Sequence, residues 1–220
     1  MCWEVIIMQI KVNLQIFLFI VIFVITHQIE IYGCIMLFAL IHELGHMLTG
    51  ILLKLKPKSL SFMPFGISIT FETYEYKKLV EVKKILIAIA GPLTNLIICI
   101  ATAFLHINLE IKELIIYSNV LIILFNLIPL YPLDGGRILK GIVRLKYGEI
   151  KSDKMVNKIS NSVVIILTAI SSIAILYLKN IAIFFVIMYL WIIVINENKK
   201  YNIKMRVYST LQKTNKCIDI

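Results

Sequence analysis

The chain has 220 residues, of which 60% are hydrophobic and only 16% charged, a balance that excludes an ordinary soluble domain and makes a membrane protein the default. Its formal net charge of +10 does not call for nucleic acid, because 21 of the 23 Lys and Arg residues fall in alternate connections between apolar runs, the pattern of the positive-inside rule. Anionic lipid headgroups account for that charge, and no nucleic-acid partner is needed.

Hydropathy predicts six transmembrane helices, at 12–26, 31–53, 85–105, 114–133, 160–178 and 180–196, each close to the ~20 apolar residues that a bilayer crossing takes. The first follows Lys11 but no small-residue cleavage site follows Thr26, so it is expected to be a retained anchor and not a signal peptide. The expected fold class is therefore an α-helical integral membrane protein of the cell membrane. One six-span domain covers 1–196, a short basic tail covers 197–220, and both termini are cytoplasmic. Cys2, Cys34, Cys99 and Cys217 have no CxxC spacing and are expected to be packing residues.

The second span carries His42-Glu43-Leu44-Gly45-His46, an HExxH motif. On a helix, histidines four residues apart project from one face and can hold a single divalent ion, while Glu43 lies in the same arc, able to take a proton from a metal-activated water. A glutamate near mid-bilayer costs about 2.5–3.5 kcal/mol and needs a partner or a wet cavity. Lys54 lies only eight residues beyond His46, ~12 Å along a helix, so water reaches this motif most readily from the cytoplasmic side.

The next segment, 59–72, alternates apolar with small or polar residues around Pro64-Phe65-Gly66 and predicts a short membrane-associated β-hairpin with one apolar face. Two uses are open to it: an amphipathic hairpin lying on the membrane, or an edge strand that receives an extended substrate. In the third span, Gly91-Pro92-Leu93-Thr94-Asn95 combines small residues with an intramembrane amide, for which close helix packing is the simpler explanation.

The fourth span runs into Pro129, Pro132, Gly135 and Gly136, so its helix must break. Zinc catalysis uses three protein ligands plus water, and Asp134 at this break offers the carboxylate that a His₂-carboxylate site lacks; pairing with Arg137 is the alternative. His27 and His106 fall at the far ends of spans and are poor third ligands. Asn126, ahead of the break, has an amide suited to holding an extended backbone or a developing oxyanion.

HELGH, GPLTN and NLIPLYPLDGGR, in this order over roughly residues 1–200, together resemble the site-2 protease family of intramembrane metalloproteases, peptidase family M50. The hairpin and the PLDGGR ending are most similar to its sporulation branch. The resemblance implies one Zn2+ ion held by His42, His46 and Asp134, with Glu43 as the catalytic acid and base. It implies a substrate cleft lined by Asn95 and Asn126, and a membrane-associated protein substrate such as a pro-sigma or anti-sigma factor. Inhibitory membrane partner proteins are implied as well. Sporulation-branch members often carry a nucleotide-sensing CBS domain after the membrane region, and the residues up to Ile220 contain none. The competing expectations are a membrane transporter, which has no need of HExxH spacing, and a catalytically inactive scaffold, which has no need of an intact base.

Overall fold

The computed structural model describes residues 9–25, 27, 29–63, 66–178 and 182–218. The chain forms two compact units, Met1–Ile128 and Pro129–Ile220.

The first unit holds strand β1 (Gln9–Val12), helices α1 (Gln15–Ile25) and α2 (Ile29–Leu52), strands β2 (Pro57–Met63) and β3 (Gly66–Phe71), and helices α3 (Thr73–Lys78), α4 (Glu81–Phe104) and α5 (Leu109–Asn126). Helices α2, α4 and α5 pack on one another. Phe38, Ala39 and Ile122 form a core between them, flanked by Ile35, Ile41, Ile98 and Ile115. Gly45 sets how closely α2 approaches α4: a Cβ there would meet the Thr94 hydroxyl and lie 3.0 Å from the Ala90 carbonyl. Such small-residue contacts replace the hydrophobic driving force that lipid surroundings remove.

Alternation explains the sheet. Leu60, Ile67 and Ile69 are buried on one face, against Met36, Leu40 and Met47 of α2, while Ser59 and Thr70 pair across the other face at 2.6 Å. β2 and β3 form the expected antiparallel hairpin, with Leu60 opposite Ile69 and Phe62 opposite Ile67; Pro64 and Phe65 at its tip lie outside the described residues. The hairpin is not alone, however. β1 pairs in parallel with β2, Ile10 opposite Leu60, and makes a three-stranded sheet from residues that lie just ahead of the first expected span and reach only its first residue, Val12.

In the second unit, Gly136 of α6 (Asp134–Tyr147) lies so close to the preceding loop that a Cβ would sit 2.6 Å from the Leu130 carbonyl oxygen. Gly148, at φ 78°, turns the chain from α6 into α7 (Glu149–Leu178), a backbone that glycine adopts without strain. α7 packs on α8 (Ala182–Ile218), with Val164, Leu190 and Val194 fully buried.

The expectation of six spans needs correction. Among the described residues, three helices are long and apolar enough to cross a membrane: Ile29–Leu52, Glu81–Phe104 and Glu149–Tyr177. α1 has 11 residues, about 16 Å of helix against a hydrocarbon core of about 30 Å. α5 has Glu110, Lys112 and Glu113 in its first turns. The apolar run of α8 stops at Ile195, and Glu197, Lys199 and Lys200 follow at once. The last residue of the first expected span, Thr26, the connecting Lys179 and the first two residues of the sixth expected span, 180–181, lie outside the described residues.

Candidate metal centre

α2 delivers His42 and His46 to one buried point. Both rings are 2% exposed, and their Nε2 atoms stand 3.1 Å apart. Each ring is fixed through its other nitrogen: His42 Nδ1 meets Asn95 Oδ1 at 2.9 Å, and His46 Nδ1 meets the Ile87 carbonyl at 2.6 Å.

The tautomers follow from a chain of partners. The Ile115 carbonyl can only accept, so Asn119 Nδ2 donates to it at 2.8 Å. That turns Asn119 Oδ1 toward Asn95, whose Nδ2 donates at 3.0 Å. Asn95 Oδ1 therefore faces His42, and His42 Nδ1 must carry the proton. The Ile87 carbonyl imposes the same on His46. With each Nδ1 occupied, the two Nε2 atoms converge on one point, an arrangement suited to a cation held between them. Ligands about 2.0–2.1 Å from a tetrahedral zinc ion lie roughly 3.3 Å apart, so the pair fits zinc.

Gly91 of α4 faces the same point: a Cβ there would collide with His46 Nε2 and come within 2.5 Å of His42 Nε2. The glycine of the GPLTN motif thus keeps open the space that the two Nε2 atoms address. Asn95, expected at a substrate cleft, is fully buried and bound to His42 and Asn119. Asn119 and the Ile87 carbonyl are participants that sequence patterns did not single out.

Glu43 is half-buried, and its Oε2 accepts the backbone N–H of Ile69 in β3 at 3.0 Å. Asn126, the last residue of α5, donates from Nδ2 to the Ile122 carbonyl at 3.0 Å. In the second unit Asp134 is the first residue of α6 and is 4% exposed. Its carboxylate stands 3.7 Å from the Arg137 guanidinium, a contact the sequence offered as an alternative to metal binding.

These features define a helical membrane protein with a buried histidine pair, a candidate metal centre, on an HExxH helix. The chain belongs to peptidase family M50, whose model matches residues 31–111 and 107–171. It is 34% identical over 134 residues to a zinc metalloprotease of Methanocaldococcus jannaschii, covering 58% of this chain and 38% of that protein. It is 30% identical over 141 residues to stage IV sporulation protein FB of Bacillus subtilis, covering 62% of this chain and 48% of that protein. The matched region thus spans less than half the length of these curated relatives. Among solved structures, the site-2 protease from Methanocaldococcus jannaschii superimposes with a TM-score of 0.64 at 25% identity, over 89% of this chain and 93% of that one.

Proposed function

We propose that the protein is an intramembrane zinc metalloprotease that hydrolyses peptide bonds of a membrane-associated protein substrate. The observation that carries this reading is the pair of converging Nε2 atoms at 3.1 Å with Glu43 on the same helix. His42 and His46 would hold the ion, and the buried carboxylate of Asp134 is the third ligand we assign. When bound, zinc supplies Lewis acidity and lowers the pKa of the attacking water. Glu43 accepts the proton of that water as its oxygen attacks the scissile carbonyl carbon, holds it, and returns it to the leaving nitrogen as the C–N bond breaks. Arg137 stands 3.7 Å from the Asp134 carboxylate.

A transmembrane helix hides its carbonyls in its own hydrogen bonds, so the substrate must arrive extended. The edge of β3 receives such a segment by strand addition, and Asn126 steadies its backbone. Residues 1–196 act as one membrane domain. By the resemblance to the sporulation branch, the substrate we assign is a pro-sigma or anti-sigma factor, held in check by inhibitory membrane partners.

The test is co-expression with membrane-tethered transcription-factor precursors, assaying cleavage and bound zinc. Glu43→Gln should keep zinc and lose about 10²–10⁴-fold in rate, the worth of general acid and base catalysis. Asp134→Asn should weaken zinc binding. A wild-type chain without zinc, and with the same products as Glu43→Gln, would overturn the reading in favour of a transporter or scaffold.

A further inference from the structure

The second unit contains a cavity of about 130 Å³ between α6, α7 and α8, far more than the roughly 10–15 Å³ that one water needs. No step of the proposed proteolysis uses it. We propose that it binds the phosphate headgroup of an anionic phospholipid such as phosphatidylglycerol.

Its depth argues first. α7 and α8 run antiparallel, tied by Trp191 Nε1 donating to Thr168 Oγ1 at 2.9 Å and by Asn198 Nδ2 donating to Asn161 Oδ1 at 2.8 Å. The apolar run of α7 begins at Val163 and that of α8 ends at Ile195, so both helices change character at the same level. The cavity lies across that level, with Val156 and Val194 in its wall and Lys200 and Lys204 farther along α8. Headgroups occupy that depth in a bilayer.

Its chemistry argues second. Three lysines, Lys140, Lys200 and Lys204, line the cavity with two carboxylates, Asp153 and Glu197; Lys204 also pairs with Glu149, which binds Arg144, and the four cations of this network against its three carboxylates leave one positive charge for the single negative charge of a phosphodiester. Lys140 and Lys204 both bind Asp153, and Lys200 pairs with Glu197. The side chain of Lys200 is 72% exposed, so its ammonium can turn to a ligand at little cost.

Unused donors argue third. Ser160, 5% exposed, accepts the Tyr131 N–H at 3.0 Å, and its own hydroxyl proton has no protein acceptor among the described residues. The amide of Asn157 and the hydroxyl of Tyr201 line the same space, and among the described residues neither has a hydrogen-bond partner. Donors gathered around a surplus cation suit a ligand rich in acceptor oxygens.

The full-length chain in detergent, studied by native mass spectrometry with titrated lipid, tests this independently of proteolysis. Phosphatidylglycerol should be retained in preference to phosphatidylcholine. The triple variant Asn157→Leu, Lys200→Ala, Tyr201→Phe, which leaves the Asp153 ion pairs intact, should lower phosphatidylglycerol retention at least about fivefold with zinc content unchanged. If the triple variant is unstable, the preference of the wild type decides alone. Equal retention of the two lipids, or a stable triple variant that binds like wild type, would overturn the proposal. Glycerol phosphate binding as tightly as the lipid would overturn the lipid source and assign the cavity to a soluble phosphoester.

Discussion

The carboxylate of Glu43 and the backbone N–H of Ile69 meet at 3.0 Å, which ties the glutamate of the HExxH helix to the outer edge of β3. Ile69 lies opposite Leu60, and its N–H points away from β2, toward the side where a further strand would add. A substrate strand that pairs there must take this donor over from Glu43. Ile69→Pro removes the donor without costing a bond to β2. A backbone hydrogen bond is worth about 0.5–1.5 kcal/mol, so cleavage should fall roughly 2- to 10-fold while zinc content stays constant. Ile67→Pro, two residues along the same edge, is the control; equal losses in the two variants would assign the effect to the strand and not to Glu43.

The relay from the Ile115 carbonyl through Asn119 and Asn95 to His42 makes a graded prediction. Asn95→Leu removes the acceptor that holds the His42 tautomer, and zinc affinity should fall about 10- to 100-fold. Asn95→Asp keeps an acceptor toward His42 and should lose less. Asn119→Leu leaves Asn95 able to flip, so its effect should fall between the two. Chelator competition measures all three, and an affinity in Asn95→Leu equal to wild type would disprove the relay.

Gly91 and Gly33 form a matched pair. A Cβ at Gly91 collides with the ligand nitrogen of His46, whereas one at Gly33 meets nothing within 4 Å. Gly91→Ala should therefore abolish zinc retention. Gly33→Ala, inside α2, should retain zinc and gain about 0.5–1 kcal/mol in stability from helix propensity. Zinc content together with thermal melting separates the two outcomes.

What sequence reveals here depends on how local each relationship is. His42 and His46 are one helical turn apart, so their spacing alone places both rings on one face. The hairpin is legible because Leu60, Ile67 and Ile69 keep a period of two. Asn95 stands out as an intramembrane amide, but its partner His42 is 53 residues away, and nothing in the pattern distinguishes an amide that orients a ligand from one that lines a cleft. Asn119 belongs to no motif. β1 is four residues long and pairs with a strand some fifty residues later, beyond the reach of any periodicity. The span count was overdrawn because hydropathy finds apolar runs, whereas crossing also needs length and few charges, which α1, α5 and α8 lack.

Lys204 should make the second unit sensitive to alkali. Burial pushes its ammonium pKa down, but hydrogen bonds to Asp153 and Glu149, with the attraction of both carboxylates, outweigh this and hold it above its ordinary value of 10.5. A group whose pKa is raised by folding stabilises the folded state fully below its unfolded pKa, and that contribution disappears as pH rises through the folded pKa. Wild-type melting temperature should therefore decline as pH rises beyond 10.5, the ordinary lysine value. Lys204→Met should melt lower at neutral pH yet show a smaller decline, because Lys140 still neutralises Asp153 at 2.9 Å. Circular-dichroism melts of both chains in detergent between neutral pH and pH ~11 measure the difference. Parallel curves would show that the ion pairs of Lys204 contribute nothing to folding.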